Sequence, residues 1–176
     1  QDYYLPQGGA AMRTAICPGS FDPITVGHLD LAERAAAIFD EVVVCVMVNG
    51  EKRTMFTPRQ RLEMVRAAVG HLPNVRAALW EGLLADFARR EGARALVKGA
   101  RGGTDFDWEY QMAQINRDLW PALDTVLLPA RAEHLHISST MVRDMLRHGQ
   151  RLEPYVPAGA LEVLRMIQGG KKEDGK

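Results

Sequence analysis

Residues 42–48 read V-V-V-C-V-M-V, an unbroken apolar run in which most side chains are β-branched. A strand with one wet face alternates polar and apolar residues. A strand with no polar position must be covered on both faces, as happens in a parallel sheet sandwiched between helices. Parallel neighbours cannot be joined by a tight hairpin and need long crossovers, usually helical. The rest of the chain should therefore alternate strand and helix, and its pattern does. Strands are expected at 14–17, 42–48, 75–80, 94–98 and 124–128. Helices are expected near 28–39, from Thr57 to about His71, at 83–91 and 105–119, near 139–148 and at 158–168. Leu31, Ala35, Ile38 and Phe39 give the first helix an apolar face, and Thr57-Pro58-Arg59-Gln60 is a capping box with proline at the first helical position. The expectation is an α/β fold, a doubly wound five-stranded parallel sheet.

A chain of 176 residues is long enough for one well-buried domain and short for two. We expect a single domain over 12–168, preceded by an appended leader or disordered extension at 1–11 and followed by a frayed tail at 169–176. The composition is 47% apolar and 25% charged, with formal net charge zero. Bulk electrostatics thus gives no reason to expect nucleic acid or an anionic membrane as partner. No run reaches the ~18 apolar residues of a membrane span. The two cysteines, Cys17 and Cys45, both lie in apolar strand-like runs. That argues against a disulfide framework and for a reducing, cytoplasmic setting.

Function concentrates in residues 19–28, G-S-F-D-P-I-T-V-G-H, between the first strand and the first helix. Pro18, Gly19, Pro23 and Gly27 favour tight turns and close backbone approach to a ligand. The loop delivers the Ser20 and Thr25 hydroxyls and the His28 imidazole to a helix N-terminus, whose free N–H groups and partial positive charge suit a phosphate. Three further groups follow strands. Lys52-Arg53 come after the second strand, Lys98 and Arg101 flank Gly99-Ala100, and Ser138-Ser139-Thr140 open a helix after the fifth. Ligands in doubly wound sheets sit beyond the carboxyl ends of strands, so these groups should share one site. Cations, hydroxyls and helix starts around a phosphate suit phosphoryl or nucleotidyl transfer, which depends on charge neutralisation more than on proton transfer. His134-Leu135-His136 lacks a third ligand nearby, so no metal site is expected from protein side chains. No G-x-S-x-G elbow supports a nucleophilic serine.

The segment Thr25-Val26-Gly27-His28 resembles the T-x-G-H signature of the nucleotidyltransferase superfamily. Together with K-R-T-M-F-T at 52–57, V-K-G-A-R-G-G-T-D-F-D-W-E-Y-Q-M-A-Q-I-N at 97–116 and I-S-S-T at 137–140, it makes the chain similar to the bacterial phosphopantetheine adenylyltransferases over about residues 12–167. The resemblance implies a Rossmann-like nucleotidyltransferase fold and transfer of AMP from ATP to 4′-phosphopantetheine with Mg²⁺, in a cytoplasmic homohexamer built as a dimer of trimers. It implies catalytic roles for His28, Lys52 and Arg101. Ser20 and Lys52 would meet the acceptor phosphate, His28 the α-phosphate, and Lys98 and Arg101 would grip the phosphates, with Ser20 and Lys98 each counted in both the acceptor and the ATP site. Glu109 would meet the ribose side, and Ser138, Ser139 and Thr140 the β- and γ-phosphates, with Phe21, Gly99 and Ile137 also in the ATP site. Leu83, Leu84, Met112 and Asn116 would line the pantetheine arm. The chain departs from the common pattern at Val26, Lys98, Trp108, His134 and Thr140. Transferases acting on other phosphate acceptors, and a non-catalytic nucleotide-binding module, are the competing readings.

Overall fold

The computed structural model describes residues 12–51 and 53–173. Five parallel strands, β1 (Thr14–Gly19), β2 (Glu41–Val48), β3 (Val75–Glu81), β4 (Ala95–Ala100) and β5 (Asp124–Pro129), lie in the order β3-β2-β1-β4-β5. The chain winds outward from β1 to β3, then crosses back to place β4 on the other side of β1. The carboxyl ends of β1 and β4 are therefore the topological switch point, where crossovers diverge to opposite faces and leave a crevice. The paired register between these two strands is short, Ala15↔Ala95 and Ile16↔Leu96.

The expected apolar strand, β2, is an interior strand of the sheet, paired on both sides between β3 and β1. Val42, Val44 and Val46 join one buried cluster with Ala15, Cys17 and Val97, while Val43 and Cys45 join the other with Ile16 and Leu96. Neighbours in sequence thus feed opposite faces, as the period of two requires. On the first face pack α1 (Val26–Ile38), α2 (Pro58–Val69), α5 (Ser139–Arg147) and α6 (Ala158–Glu173). On the second lies α3 (Leu84–Arg90), with α4 (Gly103–Leu119) against it and β5. Cys17 and Cys45 are buried free thiols, each pushed up to about 12 by burial.

Several boundaries differ from the expectations. β1 continues through Pro18 and Gly19, so the turn begins only at Ser20. β4 runs past the expected end at Lys98 through Gly99 and Ala100, because register with Leu128 and Pro129 continues to the strand end. α1 buries Ala32 and Ala35, but Ile38 is exposed because the helix ends there and the chain turns into β2. α6 runs on to Glu173, past the expected end at 168. Its anchors Ala160, Leu161 and Leu164 are buried, and once a helix is docked each added residue needs only propagation, not nucleation. The expected leader at 1–11 and residues 174–176 of the expected tail lie outside the described residues.

Candidate active site

The crevice at the switch point holds a cavity of about 330 Å³, walled by Pro18 and Gly19 of β1, Lys98 and Gly99 of β4, the start of α1 and the start of α5. His28 occupies the third position of α1, where it closes a capping box with Thr25. The Thr25 hydroxyl accepts the His28 backbone N–H at 3.4 Å, and His28 Nδ1 accepts the Thr25 backbone N–H at 3.1 Å. An amide can only donate, so Nδ1 must be the bare nitrogen and the ring proton sits on Nε2. Burial, reinforced by the nearby Arg101 and Lys98 charges, lowers the His28 pKa to about 4. The imidazole is therefore a neutral hydrogen-bond donor at neutral pH, not a cation.

Phe21 holds this ring from beneath in an edge-to-face contact, centroids 5.1 Å apart at 81°. Its backbone is left-handed, φ +47°, an uncommon conformation for a bulky residue. The turn folds the phenyl ring onto Gly19, where an added Cβ would stand 2.9 Å from a ring carbon. Glycine at 19 is needed for that close approach, and buried Phe21 is a support of the site rather than part of its wall.

Positive charge comes from the ends of β4 and β5. Lys98 Nζ lies 3.0 Å from Glu109 Oε1 on α4, and both side chains are largely shielded. Arg101 grips Asp105 through one edge of its guanidinium, Nε to Oδ2 at 2.9 Å and a second nitrogen to Oδ1 at 3.4 Å. That contact raises the Arg101 pKa and lowers that of Asp105. At the far end Asp30 is bracketed by Arg131 at 2.7 Å and Arg34 at 3.3 Å, and Arg34 also donates to the Pro129 carbonyl. Each of the carboxylates Asp30, Asp105 and Glu109 lining the cavity is thus held by a cation. Sequence reading missed Asp30, Arg34 and Arg131. The i,i+4 spacing of Asp30 and Arg34 was visible, but their convergence with the end of β5 is a product of the winding.

The hydroxyls after β5 are partly committed to structure. Ser138 caps α5 by accepting the Met141 N–H at 3.1 Å, and Ser139 donates to the Pro23 carbonyl at 2.8 Å. Thr140 accepts from Arg143 at 3.0 Å and does not line the cavity, whereas Ile137, Ser138 and Ser139 do. His134 also faces the cavity, and its Nδ1 is buried without a hydrogen-bond partner.

A second cavity of about 650 Å³ adjoins the first through Pro18, Gly19 and Lys98, and runs between the ends of β2 and β3. Ser20 and Leu84 line it, with Met47, Asn49 and Gly82. Leu83, Met112 and Asn116 line neither cavity. Leu83 is exposed before α3, Met112 is half-buried on α4, and Asn116 is buried near the end of α4. Trp108 is exposed on α4. Lys52 lies outside the described residues. Among the described residues no three His, Cys, Asp or Glu side chains gather as a metal cluster.

A parallel sheet with paired cavities at its switch point and helix starts facing a cationic crevice defines a nucleotide-handling α/β protein. The cytidylyltransferase-like family model matches residues 16–145, and the chain belongs to that family. More narrowly, it is 49% identical over 154 residues to the phosphopantetheine adenylyltransferase of Symbiobacterium thermophilum, covering 88% of this chain and 95% of the relative. The enzyme of the same name from Heliobacterium modesticaldum is 46% identical over 150 residues, with 85% and 89% covered. At these levels the chain is a member of the phosphopantetheine adenylyltransferase family. A solved structure described as a nicotinate-nucleotide adenylyltransferase from Vibrio parahaemolyticus superposes with a TM-score of 0.65 at 19% identity, covering 88% of this chain and 92% of that one. That likeness speaks to the fold alone.

Proposed function

We infer that this chain transfers the adenylyl group of ATP to 4′-phosphopantetheine, forming dephospho-CoA and releasing pyrophosphate. The observation that carries this reading is the pair of cavities meeting at Lys98, Pro18 and Gly19. One takes a nucleotide, the other an acceptor, and their junction is where a phosphate of each would meet. Family membership supplies the acceptor's identity.

In this reading an oxygen of the acceptor's phosphate attacks the α-phosphorus of ATP. A new P–O bond forms while the bond to the bridging oxygen of the β-phosphate breaks, and pyrophosphate leaves with that electron pair. A phosphate monoester is largely ionised at neutral pH, so the nucleophile needs no base. The neutral imidazole of His28 fits that requirement. Its Nε2–H can donate to a nonbridging α-phosphate oxygen, a bond that strengthens as charge builds there. Ser20, at the junction of β1 with the acceptor cavity, would hold the incoming phosphate together with Lys52. Lys98 and Arg101 would neutralise the polyphosphate, and the start of α5 would offer backbone N–H groups to its terminal phosphates. With every carboxylate of the nucleotide cavity already ion-paired, we propose that Mg²⁺ arrives with ATP, held by the phosphates.

We further propose that the protein acts in the cytoplasm as a homohexamer. What supports assembly is α4, which leaves the large apolar side chains Phe106, Trp108, Tyr110 and Ile115 exposed. No helix among the described residues is long and apolar enough to cross a membrane.

The test is an acceptor panel. With ATP and Mg²⁺, pyrophosphate should appear with 4′-phosphopantetheine and not with nicotinate mononucleotide, glycerol 3-phosphate or phosphoethanolamine. Release with one of the others alone would reassign the acceptor, and ATP binding without turnover on any acceptor would favour a non-catalytic module.

A further inference from the structure

Beneath the loop that carries Ser20 lies a polar cluster, Asp22, Arg61 and Arg143, whose own side chains line neither cavity and which joins elements far apart in sequence. Asp22 is 4% exposed. Its Oδ2 accepts the Met55 N–H at 2.9 Å and its Oδ1 the Phe56 N–H at 3.0 Å, two residues that follow Lys52 closely in the chain. Arg143 of α5 donates to the Asp22 carbonyl at 2.8 Å, stands 3.7 Å from Oδ2, and also donates to the Thr140 hydroxyl. Below them Arg61 of α2 is 2% exposed and donates to the Ser20 and Met47 carbonyls, which stand at the ends of β1 and β2. Burial lowers the Arg61 pKa and the field of Asp22 opposes that shift, so each charge is the other's compensation.

We propose that Asp22 is a positioning residue for the transfer reaction: through Met55, Phe56 and Arg143 it holds the acceptor-side loop, the segment after Lys52 and the start of α5 in one fixed arrangement. The proposal rests on the adenylyl-transfer reading for its kinetic consequence. In-line attack demands that phosphates bound by three separate chain segments meet within a few tenths of an ångström, and a misplacement of about 1 Å can cost about a hundredfold in rate. A carboxylate is suited to the junction because both its oxygens accept and its charge offsets Arg61 and Arg143. Asparagine in its place could accept only one of the two amide protons and would turn an N–H towards the other.

The experiment compares wild type with Asp22→Asn and Arg143→Gln by steady-state kinetics per folded molecule and by amide hydrogen exchange without substrates. For Asp22→Asn we expect kcat to fall about tenfold to a hundredfold while KM for ATP stays within about threefold. Exchange should rise both at 53–57 and at the first turn of α5, although the two lie on different segments. Arg143→Gln keeps the two amide bonds, so it should lower kcat and loosen α5 while leaving 53–57 protected. It also serves if Asp22→Asn does not fold. A kcat within about twofold of wild type, or faster exchange confined to 55–56, would overturn the proposal and leave Asp22 a local loop support. If wild type does not adenylylate phosphopantetheine, the functional reading fails by itself, and the exchange pattern alone then decides whether Asp22 couples the segments.

Discussion

His28 divides its work between two nitrogens: Nδ1 closes the α1 capping box, which leaves the ring proton on Nε2, and the residue lines the crevice. Because its folded pKa is lowered to about 4 by burial, Arg101 and Lys98, the unfolded chain binds this proton first as pH falls. The stability its neutral form contributes is complete above the unfolded value of about 6.5 and is lost as pH drops towards 4. We predict that His28→Ala removes this component, so that its melting temperature changes less than wild type's between those pH values. Parallel thermal scans would check it, and equal slopes would contradict the lowered pKa. The same variant should lose about a hundred- to a thousandfold in kcat, the scale of one oriented donor to a developing charge, with ATP affinity nearly kept. Arg101 presents a comparable division, one guanidinium edge held by Asp105 and the other available. Arg101→Lys cannot do both and should lose most activity, whereas Lys98→Arg should retain it and Lys98→Ala should not. Kinetics on the three variants decide this, and an active Arg101→Lys would remove the oriented-fork role.

At the scale of elements, α6 seats on α2 through a contact that only glycine permits. A Cβ at Gly159 would stand 2.4 Å from the Ala67 carbonyl oxygen, a backbone atom that cannot swing aside. Gly159→Ala should therefore cost about 1–3 kcal/mol of stability, the usual range for overpacking, with kcat per folded molecule unchanged. Urea unfolding measures the first and titrated active sites the second, and an unchanged midpoint would mean that α6 can lift without cost. The strands and helices were legible in the sequence because each is announced locally, by the apolar run at 42–48 or the cap at Thr57. The placement of His28 and Ser138 beyond strand ends followed from the winding rule, whereas Lys98 lies within β4 near its carboxyl end. The Asp22, Arg61 and Arg143 cluster was not legible, since each contact joins segments tens of residues apart and none has a local period. Nor was the β4 end. Gly99 and Gly102-Gly103 look like a turn, yet hydrogen bonding to β5 carries the strand through Gly99 to Ala100.

For the molecule as a whole, strand order makes the site. β1 and β4 are adjacent only because the chain reverses its winding after β3, and that reversal brings the two cavities to a shared wall. The exposed side chains of α4 belong to the same scale. If they are the buried faces of a homohexamer, light scattering should give a hexameric mass and Trp108→Asp should lower it, while a monomeric wild type would refute assembly. The central claim is direct adenylyl transfer between the two cavities. The most direct measurement incubates the protein with ATP labelled at the α-phosphate, Mg²⁺ and 4′-phosphopantetheine, then follows the label and pyrophosphate together. We predict label in dephospho-CoA equal to pyrophosphate released, with none on the protein when the acceptor is omitted. Label retained covalently on the protein, or release of ADP and inorganic phosphate instead of pyrophosphate, would contradict it.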